Sequence, residues 1–374
     1  MDATISRIDV AVLEGKRPRA AGSNARLGYH GDTVRLPLAR LTTSDGATGF
    51  GRCPASEEHL KSLLGQRVAD LTSEGRVRAG WFLYEYPLMD LAARIAGRPV
   101  HAHAGSGIEG IHRVRAYDTS LYFDDLEIAD DAAAADLIAD EARQGMDRGH
   151  TAFKIKVGRG GRHMPLEAGT VRDVAIVRAV REAVGPDATV MIDANNGWNL
   201  NLTKRVLTDT AADDIHWVEE AFHEDNVLYQ DLKEWLAAEG LDVLIADGEG
   251  AAHPALVDWA RDGLVDVVQY DTYGYGFGRW LELGRELDAI GVQSAPHTYG
   301  GGLNSEVTAQ LSALIQRQEF VEWDFAEFKE VDTSGYVLRD GWVEVPASPG
   351  FGFELDDRAF ESAVSRTGFS LSQS

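Results

Sequence analysis

From Val114 onward, short apolar runs rich in Val, Ile, Phe and Ala alternate with longer segments of helical period. That rhythm is the signature of a parallel sheet built from βα units. The runs predict eight strands, at 115–120, 152–157, 189–193, 215–219, 243–247, 265–271, 291–296 and 320–324. The segments between them predict seven helices, at 131–148, 169–184, 202–212, 227–239, 254–262, 278–290 and 303–316. No helix follows the eighth strand, and a hairpin is expected at 336–345 around Asp340-Gly341. The fold class is therefore α/β: a (β/α)7β TIM-like barrel whose tail returns to the N-terminal region.

That N-terminal region reads differently. Residues 4–12, 34–41 and 46–51 have strand character, the last two joined by the turn Ser44-Asp45-Gly46, as in a small antiparallel sheet. Residues 14–32 are rich in Gly, Arg and Ala and poor in apolar positions. They predict a mobile loop that could serve as a lid, presenting Arg19, Tyr29 or His30 to a ligand. Helices are expected at 56–71 and 77–96, the second ended by Gly97-Arg98-Pro99.

Composition narrows the partners. Lys and Arg number 36 against 60 Asp and Glu, a net charge of −24 over 374 residues, which argues against nucleic acid or an anionic membrane. An acidic protein that binds an anion must gather positive charge locally. Cys53 is the single cysteine and excludes an intrachain disulfide. Residues 1–12 lack the pattern of a signal peptide, and no apolar run approaches the ~20 residues of a membrane span. A cytoplasmic location is expected.

In a (β/α) barrel, the groups that end the strands face one mouth. Here those groups are Lys154 and Lys156, Asp193, Glu219, Asp247 or Glu249, Asp271, His297 and Glu322. Alternate strand residues share a side, so Lys154 and Lys156 point together while Phe153, Ile155 and Val157 fill the other face. One acidic residue at a strand end is usually a helix cap. Several converging on one cavity repel one another and need a cation. Three carboxylates with no Cys or His cluster make a hard oxygen site, suited to Mg2+ or Mn2+ and poorly suited to zinc. Asp193 and Glu219 supply two. Glu249 is a third, with Asp247, two residues earlier, able to replace or support it. Asp271 and His297 end adjacent strands, so the carboxylate can take one ring nitrogen and leave the other as a base. Asn195, two residues past Asp193, is a candidate for substrate contact, as is Arg162 with Arg159 on the loop after the second strand. His163 and His223 could also touch substrate, whereas His101, His103 and His150 fall in connections away from the mouth.

Taken in order, these residues resemble the enolase superfamily, specifically its mandelate racemase-like branch (the mandelate racemase/muconate lactonizing enzyme family). The likeness spans nearly the whole chain: Lys-x-Lys on the second strand, carboxylates on the third to fifth, Asp on the sixth, His on the seventh and Glu on the eighth. Ala221 after Glu219-Glu220 departs from a common proline. The resemblance implies an α+β capping domain over 1–112 with a lid, the barrel over 113–328, and a C-terminal segment, 329–374, returning to the cap. It favours Glu249 as third ligand. It also implies that Lys156 is one general base and His297 with Asp271 the opposite one. Lys154 would stabilise an enolate, and Glu322 would donate a hydrogen bond to the substrate carboxylate. A homo-oligomer is a further implication.

The physics agrees. A proton beside a carboxylate is too weakly acidic for an amine to remove unless the developing enediolate is stabilised as it forms. A divalent ion with Lys154 does this, and crowded cations should depress the pKa of Lys156. The expected substrate is a small, polyhydroxylated carboxylic acid. The expected reaction is acid-sugar dehydration to a 2-keto-3-deoxy acid. Racemisation or epimerisation of a 2-hydroxy acid is the alternative, and a non-catalytic binding barrel is the third possibility. No lysine stands near Asp271, which counts against dipeptide epimerisation.

Overall fold

The computed structural model describes residues 3–108 and 110–373. The barrel strands are His112–Leu121, Ala152–Lys156, Thr189–Asp193, Ile215–Glu219, Leu244–Asp247, Val267–Val268, Gln293–Ser294 and Phe320–Trp323. The first seven pair in order, and the eighth lies parallel to the first with Glu322 opposite Tyr117. Across the remaining seam the Ser294 N–H donates to the Arg317 carbonyl at 3.0 Å. Strand alternation sorts the side chains: Phe153, Ile155, Val190 and Ile192 face outward into the core shared with the helices. Tyr117, Met191, Trp217, Ala246 and Phe320 fill the barrel's interior. The two lysines face inward above that apolar plug.

Helices cover the barrel at Asp131–Asp147, Leu166–Val184, Leu200–Asp209, Asn226–Glu239, Leu256–Arg261, Phe277–Ile290 and Asn304–Ser312. Asp130, Asn199 and Asp225 cap three of them by accepting from backbone N–H groups of the first turn. A short extra helix, Thr272–Tyr275, follows the sixth strand. The sixth and seventh strands are shorter than the apolar runs suggested, so Asp271 and His297 lie just beyond them, joined by a parallel bridge of their own.

In the N-terminal region, Ile5–Ala21, Gly31–Thr43 and Thr48–Arg52 form an antiparallel sheet, and the tail strand Phe369–Ser372 adds to its edge. The expected hairpin at 336–345 is present as Val337–Arg339 and Trp342–Val345, and it pairs with the first barrel strand.

The expected lid over 14–32 is mostly strand. Ile5–Ala21 continues through it, with Glu14 opposite Arg35 and Lys16 opposite Thr33, leaving residues 22–30 as the loop. Its apolar pattern is absent because the strand is held by ionic and steric contacts. Arg17 makes a two-pronged ion pair with Asp324 at 2.6 and 2.8 Å. Lys16 exchanges backbone hydrogen bonds with Glu327, and Gly15 lies where a Cβ would come within 2.6 Å of the Phe328 ring.

The helix expected at 56–71 is two short ones, Glu57–Lys61 and Val68–Leu71, because Gly65 and Gln66 turn to bond the backbone of Ile5. The helix expected at 77–96 begins only at Glu85, after a two-stranded turn at Glu74-Gly75, both left-handed. A C-terminal helix, Asp357–Thr367, capped by Asp356, was not anticipated. No helix among the described residues is long and apolar enough to cross a membrane.

Candidate active site

The mouth is built on the second strand. Lys154 Nζ, fully buried, lies 2.7 Å from Glu219 Oε1, 3.2 Å from Glu322 Oε1 and 3.5 Å from Asp193 Oδ2. Lys156 bonds to the same Asp193 carboxylate. The rings of Tyr117 and Tyr122 stand beside the two ammonium groups, each 5.3 Å away. Asp193, Glu219 and Glu249 form one carboxylate cluster, with oxygens all within 4.8 Å of one another. Glu219 Oε2 accepts from Gln269 Nε2 at 2.8 Å and Trp217 Nε1 at 3.2 Å, which aims its other oxygen at the cluster. Asp247 stands apart from this cluster. Its Oδ2 accepts from the Tyr229 hydroxyl at 2.6 Å, and burial pushes its carboxyl well up.

His297 faces the cluster from the seventh strand's end. Its Nδ1 is 2.5 Å from Asp271 Oδ1, and its Nε2 is 3.2 Å from Glu249 and 3.8 Å from Glu322. Burial disfavours the imidazolium, but Glu249, Glu322 and Asp271 outweigh it and raise the pKa to about 10. The ring is thus held protonated.

Burial and Lys154 lower the pKa of Lys156, yet the adjoining Asp193 carboxylate, the group an ion would take, raises it overall. One electrostatic expectation is corrected. Glu322 is not set up as a donor. Burial pushes its carboxyl up, but Lys154, His297, Thr119 and the Thr298 N–H outweigh burial and keep it ionised. It is an acceptor, taking the Thr119 hydroxyl at 2.7 Å and the N–H groups of Thr298 and Tyr299 at 2.7 and 3.1 Å.

The proposed substrate contacts divide. His30 comes to the mouth, its ring 5.0 Å from Tyr122 and 5.4 Å from Tyr299, with Nε2 buried and unpartnered. Burial, then Lys156 and Arg17, lower its pKa to about 4, so it is neutral. Asn195 bonds Glu220 at 2.9 Å while its Oδ1 stays free among buried atoms. Arg19 turns away to the barrel's outer side, pairing with Glu141 at 2.6 Å and Asp124 at 3.2 Å. Tyr29 is 71% exposed. Arg162 bonds the Arg26 carbonyl and His163 the Asn24 carbonyl, so both tie down loop 22–30. Arg159 is fully buried between Asp125 and Asp173 and has no access to a ligand.

Several participants escaped the sequence. Gln269, directly after the sixth strand, and Thr119, on the first, continue the inward positions of Val267 and Tyr117, where the two-residue period that singled out the lysines would also have found them. Arg26, which reaches Glu249 at 3.0 Å and Glu220 at 3.5 Å from loop 22–30, carries no such signal.

Residues 137–359 match the family described as enolase C-terminal domain-like. Galacturonate dehydratase from Geobacillus sp., solved with D-galacturonate and 5-keto-4-deoxy-D-galacturonate, is 47% identical. It covers 99% of each chain, with a TM-score of 0.94. A mandelate racemase/muconate lactonizing protein from Geobacillus sp. Y412MC10, complexed with magnesium and tartrate, is also 47% identical. It covers 100% of this chain and 98% of that one, with a TM-score of 0.95. Arabinonate dehydratase from Saccharolobus solfataricus is 25% identical over 364 residues, covering 88% of this chain and 90% of its own. The chain belongs to the enolase C-terminal domain-like family, on the mandelate racemase/muconate lactonizing branch of the enolase superfamily.

Proposed function

We propose that this protein is a Mg2+-dependent dehydratase of sugar acids, and that its substrate is a uronate such as D-galacturonate. The observation that carries this reading is one carboxylate triad with a buried lysine pair against two members and an Asp271-bound imidazolium against the third. The 47% identity to a galacturonate dehydratase along 99% of both chains supports the choice of acid.

Asp193, Glu219 and Glu249 fit a hard divalent ion. Every donor is a carboxylate oxygen, and Glu249 Oε2 is buried without a hydrogen bond. The bound ion supplies positive charge beside the substrate carboxylate. Lys154 adds to that charge, because burial lowers its pKa but the carboxylates of Glu219, Glu322 and Asp193 outweigh burial and keep its ammonium intact. With Asp193 engaged by the ion, Lys156 would lose the carboxylate that raises its pKa, and as the free amine it removes the proton on the carbon next to the substrate carboxylate. The released electron pair forms a double bond to the neighbouring carbon, whose hydroxyl leaves with the proton of the His297 imidazolium as water. Asp271 keeps the imidazole oriented. The resulting enol becomes a ketone, which for D-galacturonate gives the 5-keto-4-deoxy acid. In this reading residues 1–112 and 329–374 cap the barrel of 113–328, and His30 contributes to the sugar's surroundings.

The test is incubation with Mg2+ and D-galacturonate in D2O, followed by proton NMR. The expected product is the 5-keto-4-deoxy acid with deuterium at its deoxy carbon. Deuterated or epimerised substrate without loss of water, or no turnover across a library of mono- and diacid sugars, overturns the proposal.

A further inference from the structure

Among the described residues no helix follows the eighth strand as one follows each of the other seven, so the place of that helix lies outside the wall between the eighth strand and the first. The N-terminal strand and the tail fill it incompletely, leaving a cavity of about 210 Å3. Its floor is the outward face of the two strands, at Asp118 and Trp323. Glu306 and Arg148 flank it from the neighbouring helices, and Arg17 and Arg19 cover it from Ile5–Ala21.

The cavity carries little uncompensated charge. Arg17 pairs with Asp324 at 2.6 Å, Arg148 with Asp118 at 3.0 Å, and Arg19 with Glu141 at 2.6 Å and Asp124 at 3.2 Å. Among the described residues no cation pairs with Glu306, which is 3% exposed. Burial and Asp324 raise its pKa to about 8, so at neutral pH it carries a proton to donate. Glu306 Oε2 and Arg19 Nε are buried without hydrogen-bond partners. Buried polar atoms in such a state are uncommon and costly. Phe325, Tyr336, Leu338 and the Trp323 indole supply its apolar and aromatic wall, beside the polar Ser120, Thr333 and His150, whose Nδ1 is also buried without a partner. An apolar cavity of about 150 Å3 already accepts benzene, so this one has room for a substituted ring.

We propose that this cavity is a second binding site, separate from the barrel mouth, for an uncharged single-ring compound bearing a carbonyl or hydroxyl oxygen. The ring lies against Trp323 and Leu338, and the oxygen accepts from Glu306 and Arg19. A charged ligand is disfavoured because Arg17, Arg148 and Arg19 already pair with Asp324, Asp118 and Asp124. The bound molecule bridges the N-terminal strand to the barrel wall.

Isothermal titration calorimetry with benzamide, using the Mg2+-loaded full chain, tests this. Saturable binding in the millimolar range or tighter is expected, at least tenfold stronger than for the charged benzoate and for toluene, which lacks the oxygen. Leu338→Trp and the more peripheral Thr333→Phe should each weaken benzamide tenfold or more by filling the space, with thermal melts confirming that each variant folds. Glu306→Leu should weaken it at least fivefold. Removal of Mg2+ or saturation with D-galacturonate should leave benzamide binding unchanged. Absence of saturable binding at benzamide concentrations tenfold above millimolar refutes the proposal. So does binding that survives both filling variants, or binding that D-galacturonate displaces.

Discussion

Replacing His297 by Asn separates the two proton transfers that the geometry assigns to different residues. In the wild type, the carboxylates of Glu249, Glu322 and Asp271 raise the imidazole pKa to about 10. Two pH units below that value only ~1% of the ring is neutral, so the ring stands ready as an acid. The carboxamide of His297→Asn cannot deliver that proton, and loss of a general acid costs ~10²–10⁴ in rate, or about 3–5 kcal/mol in the barrier. Lys156 contacts Asp193, not His297, and its access to the α-proton is untouched. The variant should therefore exchange the substrate's α-proton for deuterium within about tenfold of the wild-type rate while its keto-acid production collapses. Proton NMR in D2O reads the exchange, and a colour reaction for the keto acid reads the dehydration. The pH profile supplies the sign. A raised pKa keeps the acid form present through neutral pH and removes it as pH rises toward 10. Cation binding at Glu249 withdraws one of the three carboxylates, so the descending limb lies below that value. It should be present in wild-type dehydration and absent from the variant's exchange. Parallel loss of exchange and dehydration would show that His297 is itself the base, and the assignment of Lys156 would fall.

The third carboxylate can be decided by calorimetric Mg2+ titration. Glu249→Gln should weaken binding by at least ~10-fold, the range seen for loss of metal-site groups. Asp247→Asn, altering a group held by Tyr229, should change it by less than a few-fold; the reverse ranking would move the site. Arg159→Met leaves Asp173 buried without its cation and Asp125 with only Arg172 at 3.5 Å, a loss of about 3–5 kcal/mol that a denaturant melt should register, and no change in the melt would refute it. Gly15→Val sets a side chain against the Phe328 ring and should cost about 1–3 kcal/mol. Unaltered melting would mean that the strand's seat on residue 328 is looser than its geometry states.

Legibility in the sequence followed the source of each element's stability. The third and fourth barrel strands, Thr189–Asp193 and Ile215–Glu219, fall where the apolar runs placed them, because strands buried on both faces write their position in Val, Ile and Trp. Strand-end chemistry was readable for the same reason: a charge at the close of an apolar run has few uses other than the mouth. The N-terminal strand from Glu14 to Ala21 was not readable. Arg17 is held by Asp324, 307 positions away, and no local pattern encodes such a partner. The same distance hid the true contacts of Arg19 and Arg162, which charge alone nominated as ligands for substrate. The C-terminal helix was legible but overlooked: Asp356-Asp357 begins it, and Phe360, Ala363 and Val364 follow at helical spacing.

The charges at the mouth explain why a strongly acidic chain can bind an acid there. Lys154, Lys156 and the imidazolium of His297 are cations, while Asp193, Glu219, Glu249, Asp271 and Glu322 are carboxyl groups drawn into one hydrogen-bonded set. With all five ionised the carboxylates outnumber these cations, and Arg26, which pairs with Glu249 from loop 22–30, makes up only part of the difference. The strain shows in Glu219, whose carboxyl burial and Asp193 push upward despite Lys154. A cation bound by the triad would relieve that deficit. Once it is relieved, the substrate carboxylate faces Lys154 and the His297 imidazolium, which the triad would otherwise engage. Metal binding and substrate binding should thus be coupled: without Mg2+ the lysines remain held by Asp193 and Glu219, and the site repels the acid it is built to receive. Calorimetric titration of tartrate should show at least ~10-fold weaker binding in chelator than in saturating Mg2+, a coupling of about 1.4 kcal/mol or more. Equal affinity in the two conditions would mean that the lysine pair, not the metal, carries recognition of the carboxylate.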